Sequence, residues 1–229
     1  GRSSAGSRAN RTSATGSSSG PYARPASGAD AGRSSRPTVG YDFDTLAGDL
    51  DVLLTELDLR DVVLVAHSVS SMVAVLAANR EPERFERLVL IGPSPRYIND
   101  DPYVGGFERA DIDGLLEMMD RNFIGWANFL APAIMKNADR PELGEELTTS
   151  FCSTDPVVAR RFAEATFLSD NRADLPNVRV PSLILQCSDD MVAPLEVGQY
   201  LHREMPDSTL RVMEATGHCP HMSHPDETI

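Results

Sequence analysis

The sequence predicts an α/β fold built on a partial, mostly parallel sheet, and two observations lead to this prediction. From Tyr41 onward, short apolar runs typical of buried strands alternate with longer stretches in which apolar residues recur at helical spacing. Alternating strands and helices of this kind form parallel sheets with right-handed crossovers. The chain has 229 residues, a length at which such folds often remain a single domain.

Residues 1–40 differ in composition from the rest of the chain. They contain 24 Ser, Gly or Ala residues, six arginines and one aspartate, and Val39 is their only Val, Ile, Leu or Met. Such a segment cannot bury enough apolar area to offset its ordering entropy, so we expect it to be a disordered low-complexity segment. Its arginines are scattered singly, which makes a polybasic functional tail the less favoured alternative.

The first predicted elements surround a single serine. Apolar residues at helical spacing predict an amphipathic helix over 43–58. The uninterrupted apolar run that follows predicts a strand over 62–66, buried on both faces, and helical spacing returns over 69–80. Ser68 therefore lies at a strand-to-helix turn.

This turn allows two interpretations. In turns of the G-x-S-x-G type, a strained backbone lifts a nucleophilic serine above the sheet. Here the five residues are Ala66-His67-Ser68-Val69-Ser70, with other small residues in place of both glycines. A serine just before a helix is more often a helix cap. The turn alone leaves a nucleophile and a cap both open.

The remaining elements continue the alternation. The same patterns predict a strand over 87–91, an insertion over about 96–176, a strand over 182–187, a helix over 195–204 and a strand over 209–214. Within the insertion, the stretches 111–135 and 155–170 are helical by periodicity. These two stretches contain the only tryptophan, Trp126, and four phenylalanines.

An aspartate and a histidine follow the last two predicted strands. "SLILQC" runs into "SDDMVAP", and "TLRVME" runs into "ATGHCPH", which gives the chain order Ser, Asp, His of one hydrolase architecture. A serine hydroxyl needs an imidazole to take its proton and a carboxylate to hold that imidazole in the useful tautomer. We expect Ser68 as nucleophile, His218 as general base and acid, and Asp190 as the orienting acid. Asp189 is the less favoured orienting acid, and the Val69 N–H is the expected oxyanion donor.

Composition excludes several other classes of protein. The formal net charge of −13 argues against nucleic-acid binding. The sequence has no apolar run long enough to span a bilayer, and its first residues lack the apolar segment of a signal peptide. Cys152, Cys187 and Cys219 are best interpreted as reduced thiols, which predicts a cytoplasmic location.

A group of histidines and a cysteine offers an alternative function. His218, Cys219, His221 and His224 lie within seven residues, and both residue types bind zinc or copper. Their spacing matches no standard ligand pattern, and the Ser, Asp, His order explains His218 independently. We therefore predict no metal site and no cofactor.

Six long stretches carry a resemblance to a known family. From about Tyr41 to Ile229 the chain resembles the RsbQ-like α/β-hydrolases of the bacterial general stress response and their plant relatives, the karrikin and strigolactone receptor hydrolases. The stretches are "AHSVSSM" (66–72), "GPSPRYINDDPYVGGFE" (92–108), "NFIGWA" (122–127), "FCSTDP" (151–156), "VPSLILQCSDDMVAP" (180–194) and "GHCPHMSHPDETI" (217–229).

The resemblance implies an α/β-hydrolase fold in which the insertion 96–176 is a helical lid over an apolar pocket. It favours Asp190 over Asp189 and implies a small apolar ester or lactone-like substrate. The alternative is a catalytically weak ligand sensor, or binding module, that acts through a regulatory phosphatase. The lid aromatics are expected either to line the pocket or to be plain core, and they are Phe123, Trp126, Phe129, Phe162 and Phe167.

Two parts of the resembled fold have no counterpart in this sequence. The family begins with further strands, and a loop after one of them supplies a second oxyanion N–H. Residues 1–40 resemble neither, and we interpret them as a misread or misjoined frame; the closing helix is also cut off at Ile229. We therefore expect 41–229 to be a truncated hydrolase domain with an open, apolar sheet edge at 62–66 and weak or no esterase activity.

Overall fold

The computed structural model of this protein describes residues 40–229. The disorder predicted for residues 1–40 therefore falls outside the described residues, apart from Gly40. The described elements are, in chain order, α1 (Phe43–Glu56), β1 (Val62–His67), α2 (Val69–Arg80), β2 (Phe85–Ile91), α3 (Arg109–Arg121), α4 (Phe123–Met135), α5 (Pro141–Cys152), α6 (Pro156–Phe167), β3 (Ser182–Asp189), α7 (Leu195–Glu204), β4 (Ser208–Thr216), α8 (Pro220–Ser223) and α9 (Pro225–Thr228).

The four described strands form one parallel sheet in the order β1-β2-β3-β4. Strands β2 and β3 are neighbours in the sheet, although four helices separate them along the chain. Because all four strands run in one direction, their carboxyl ends lie at a common edge of the sheet. The predicted α/β fold with a parallel sheet is confirmed.

The two faces of the sheet are packed differently. Alternate side chains such as Leu64, Leu88 and Ile184 join α2 and α7 in the main apolar core. The opposite face carries a smaller buried cluster that includes Leu185 and Met213. This division follows from the two-residue side-chain period of a strand, which sends successive residues to opposite faces.

Strand β1 is an edge strand within the described residues, because it pairs only with β2 there. Its side chains alternate as expected for a half-covered strand: Leu64 packs into the main core, whereas Val63 and Val65 are 51% and 61% exposed. The prediction of a strand buried on both faces is therefore wrong for β1 in this part of the chain.

Helices α3–α6 (Arg109–Phe167), here called the four-helix segment, have a buried cluster of their own built around residues such as Ile112, Trp126 and Leu130. The long helical stretch predicted over 111–135 is two helices, because Asn122 ends α3 and its side chain caps α4 by accepting from the Gly125 N–H at 2.9 Å.

Helix α5 was not predicted from the sequence. Leu143, Leu147 and Phe151 recur every four residues along it, and each packs against the cluster of the four-helix segment. This spacing and Pro141 at the first turn are the signals that predict such a helix. In residues 40–229, no helix is both long and apolar enough to cross a bilayer.

Candidate active site

Ser68 lies between β1 and α2 in an uncommon backbone conformation, with φ 56° and ψ −125°. Its side chain makes no capping hydrogen bond to α2. Instead, Ser68 Oγ lies 2.6 Å from His218 Nε2. The turn allowed a nucleophile or a helix cap. In the structure the Ser68 hydroxyl contacts His218 and does not cap α2.

His218 follows β4 and is almost fully buried. Its Nδ1 lies 2.7 Å from Asp190 Oδ2. A carboxylate at this distance accepts from Nδ1–H, which leaves Nε2 as the acceptor of the Ser68 hydroxyl proton. The three side chains therefore form one continuous hydrogen-bonded chain.

Asp190 follows β3 and is buried like His218. Its other oxygen, Oδ1, accepts from the N–H groups of Val192 at 2.8 Å and Ala193 at 3.2 Å. These bonds fix the carboxylate and satisfy its second oxygen, as a buried charge requires. Asp189 is exposed and forms an ion pair with Lys136, so it does not take part in the Ser68–His218 chain.

Two glycines make room for the histidine. Gly92 has φ +54°, and a Cβ placed there would lie 3.2 Å from His218 Cε1. Gly217 has φ +83°, and a Cβ there would lie 2.2 Å from the carbonyl oxygen of Met135 in α4. Both positions combine a left-handed backbone with a close approach that only glycine tolerates.

Val69 is the first residue of α2. The first N–H groups of a helix have no acceptor within that helix, and they lie at the positive end of its dipole. The Val69 N–H is therefore placed beside Ser68 with hydrogen-bonding capacity left for a ligand, which is the arrangement that an oxyanion donor needs.

A cavity of about 500 Å³ opens next to Ser68 and His218. Most of its lining is apolar and comes from the four-helix segment. Four of the predicted pocket residues line it: Phe123, Trp126, Phe162 and Phe167.

Phe129 is a correction to the predicted pocket. Its side chain is 58% exposed and is not part of the cavity lining. Helix α4 directs Trp126, Leu130 and Ile134, spaced four residues apart, toward the cavity, and Phe129 lies on the solvent-facing side of the same helix.

Several residues of this site were not predicted from the sequence. Tyr97 is fully buried against the cavity, and burial raises its pKa to about 12. Thr166 was also not predicted, and it lines the cavity as the predicted Trp126 does. Thr166 Oγ1 and Trp126 Nε1 are buried without a hydrogen-bond partner among the described residues. Tyr97 lies within the long stretch 92–108 that carries the family resemblance, which was the available signal for it.

Among the described residues, His218, Cys219, His221 and His224 do not form the metal site that was considered as an alternative. Over 40–229, no group of three or more His, Cys, Asp or Glu side chains is arranged to hold an ion. Cys219 lines the cavity and is buried, and burial raises the pKa of its thiol to about 12.

Comparisons with known proteins agree with this fold. The profile of the Alpha/beta hydrolase family matches residues 16–229. A probable esterase of Oryza sativa subsp. japonica is 37% identical over 191 residues, which are 83% of this chain and 69% of that protein. The karrikin insensitive 2 receptor CA of Petunia hybrida is 36% identical, with the same two coverages. Among solved structures, a hydrolase from Oleispira antarctica superposes with a TM-score of 0.80 at 44% identity, covering 82% of this chain and 69% of that one.

Proposed function

This chain belongs to the alpha/beta hydrolase family, and from that premise we propose that it is a serine hydrolase of small, apolar esters or lactone-like compounds. Ser68 is the nucleophile, His218 the general base and acid, Asp190 the orienting acid and the Val69 N–H an oxyanion donor. The four-helix segment is the lid that covers the substrate.

One observation carries this proposal. The Ser68 hydroxyl, the His218 imidazole and the Asp190 carboxylate are joined by contacts of 2.6 and 2.7 Å, and the serine opens into an apolar cavity. Three segments that are far apart in the sequence supply these groups. A helix cap or a plain core serine would need neither the buried acid nor the cavity.

The geometry supports acyl transfer in two steps. Ser68 Oγ attacks the carbonyl carbon of the ester while its proton passes to His218 Nε2. The new oxyanion accepts from the Val69 N–H, and Asp190 stabilises the imidazolium. As the ester C–O bond breaks, Nε2–H protonates the leaving alcohol, and an acyl-serine remains. Water, deprotonated by His218, then releases the acid and restores Ser68.

The cavity indicates the class of substrate. About 500 Å³ fits a small molecule rather than a polymer, and an apolar wall of phenylalanines and Trp126 favours an uncharged compound. A compact, uncharged ester or lactone meets both conditions.

The test is hydrolysis of a short-chain nitrophenyl ester, combined with labelling by a fluorophosphonate. Wild type is expected to release nitrophenol slowly but measurably above the buffer rate, and to carry the phosphonate on the peptide that contains Ser68. Ser68→Ala is expected to lose both. Ser153→Ala is the control, because Ser153 is an exposed serine at the end of α5. Equal rates for wild type and Ser68→Ala would end the proposal.

A ligand sensor is the second candidate, favoured by a relative that is itself named a receptor. On this alternative the cavity binds a small apolar compound, turnover is slow, and a regulatory phosphatase is the signalling partner. It predicts that Ser68→Ala still binds the ligand and that binding of a purified phosphatase depends on ligand. Rapid multiple turnover without any phosphatase-dependent response would favour the enzyme alone.

A further inference from the structure

His67 lies directly before Ser68, at the end of β1, and its side chain is mostly buried beside the cavity. Its Nε2 lies 2.7 Å from the main-chain carbonyl oxygen of His218. Its ring also packs between two other imidazoles, with centroid distances of 5.0 Å to His218 and 4.5 Å to His221. The acyl-transfer steps given above make no use of this residue.

The contact fixes the tautomer of His67. A carbonyl oxygen can only accept, so Nε2 carries the proton and donates it. Burial, followed by the neighbouring His218, lowers the pKa of His67 to about 4. The titratable groups that face its ring are His218, His221 and Asp190. The two histidines lower the pKa of His67, and the negative charge of Asp190 acts in the opposite direction. The neutral ring therefore acts as a permanent hydrogen-bond donor at neutral pH.

The backbone of His218 is held from two sides. Its N–H donates to the carbonyl of Ile134 at the end of α4, at 2.9 Å. Its carbonyl accepts from His67, the neighbour of the nucleophile. The first bond ties the histidine to the four-helix segment, and the second ties it to the strand end that presents Ser68.

We infer that His67 is a positioning residue that acts through His218, clamping the backbone of the general base to the strand that carries the nucleophile. This inference rests on the proposed function, because positioning matters only if Ser68 and His218 react together. Reacting groups lose much of their rate when displaced by about 1 Å, so a clamp next to the serine is expected to affect kcat.

The neutrality of His67 also serves the reaction. During acylation His218 becomes an imidazolium, and a second positive charge with its ring centre 5.0 Å away would oppose that change. A donor that stays uncharged at neutral pH holds the backbone without this repulsion. Lysine or arginine could supply an N–H at the same place only together with a permanent charge.

The experiment compares two substitutions at this position in the full chain. His67→Met replaces the imidazole by an apolar side chain of similar length and so removes the donor. Its kcat for a nitrophenyl ester is expected to fall about tenfold while KM changes less than about twofold. His67→Gln places an amide N–H near the position of Nε2, and its kcat is expected to return to within about threefold of wild type. His221→Gln is the matched control, because His221 contacts the same ring without bonding to His218.

A second measurement needs no turnover. In ¹⁵N-labelled wild type, the His67 imidazole is expected to show the Nε2–H tautomer and to remain neutral down to about pH 5, as its lowered pKa requires. In His67→Met, the proton resonance of His218 Nδ1–H, which reports its hydrogen bond to Asp190, is expected to shift from its wild-type position. These spectra test the clamp even if the chain hydrolyses no ester.

The outcomes separate the two proposals. If Ser68→Ala hydrolyses the ester as fast as wild type, the proposed function fails. The NMR spectra are then the remaining test of the bond from His67 to His218. If wild type depends on Ser68 but His67→Met keeps its kcat and an unchanged His218 Nδ1–H resonance, the inference about His67 is overturned. It is also overturned if His67→Gln is folded and as slow as His67→Met, or if His67 titrates near its ordinary pKa.

Discussion

Ser68 occupies a left-handed backbone region that a residue with a Cβ enters at a cost of about 1–3 kcal/mol. Two main-chain bonds hold it there: its N–H donates to Ile91 at 2.8 Å, and its carbonyl accepts from Ser71 at 2.9 Å. The small residues Ala66 and Ser70 allow strand and helix to meet at so tight a turn. A helix cap would not require this strain, because capping residues ordinarily have extended backbones.

The neighbouring aspartates at the carboxyl end of β3 give a matched test of the orienting acid. Asp190→Asn is expected to reduce kcat by about 10³- to 10⁴-fold, because the amide no longer selects the Nδ1–H tautomer of His218. Asp189→Asn is expected to keep kcat within about twofold, since Asp189 pairs with Lys136 at the surface. Ester hydrolysis by the two purified variants is the measurement, and a larger loss from Asp189→Asn would reverse the assignment.

His67 also predicts how stability depends on pH. Its pKa is lowered to about 4 from an ordinary 6.5, so between these values the unfolded chain binds a proton that the folded chain does not. Stability is therefore lost as pH falls from about 6.5 toward about 4, and this histidine accounts for about 2 kcal/mol between about pH 7 and about pH 4.5. The pKa of His221 is lowered as well, which acts in the same direction.

Urea unfolding of wild type and His67→Gln at those two pH values measures this contribution. The variant is expected to lose about 2 kcal/mol less than wild type on acidification, because it lacks the group that titrates. Equal losses in the two proteins would mean that His67 binds a proton as readily in the folded chain as in the unfolded one.

At the scale of elements, helix α4 shows what sequence patterns can predict of this site. Periodicity predicted a helix there, and the family resemblance made Trp126 a candidate for the pocket, which it lines between the stacked rings of Phe123 and Phe151. Periodicity did not separate Phe129 from these residues, because a phenylalanine has the same side chain whether it lies on the buried or on the exposed face of a helix. Only the packing of α4 against its neighbours decides which aromatic rings reach the cavity.

Two phenylalanines of α4 make this difference testable. Phe123→Ala is expected to raise KM for an apolar ester by about three- to tenfold, because it removes part of the cavity wall and the ring that stacks on Trp126. Phe129→Ala is expected to leave KM within about twofold, since its side chain contacts solvent. Initial rates over a series of ester concentrations provide the measurement. A larger effect from Phe129→Ala would place the substrate on the outside of α4.

At the scale of the whole molecule, the parallel sheet is what assembles the site. Ser68, Asp190 and His218 each follow a strand, and strands that run in one direction bring their carboxyl ends together. This is why the chain order of three residue types pointed to Ser68 and His218, and to the aspartate pair 189–190 from which the resemblance favoured Asp190. The bond from His67 to the His218 carbonyl had no such signal, because every residue offers the same main-chain acceptor.

The outer face of β1 presents apolar side chains to solvent in the described part of the chain. Val63 and Val65 are 51% and 61% exposed, whereas Leu64 between them packs into the main core. Exposed valines on an edge strand favour association with other apolar surfaces. The alternation along β1 therefore predicts that substitutions of Val63 and Val65 affect association but not stability, whereas a substitution of Leu64 affects stability.

The double substitution Val63→Thr with Val65→Thr keeps β-branched side chains and is expected to change the free energy of unfolding by less than about 0.5 kcal/mol. It is also expected to lower the binding of a hydrophobic dye and the light scattering of concentrated protein, because two exposed apolar side chains become polar. Leu64→Thr is expected to destabilise by about 1–3 kcal/mol, since it places a hydroxyl against the main core. Urea unfolding and dye binding distinguish the variants. A double variant as unstable as Leu64→Thr, with dye binding unchanged, would mean that this face of β1 is covered in solution.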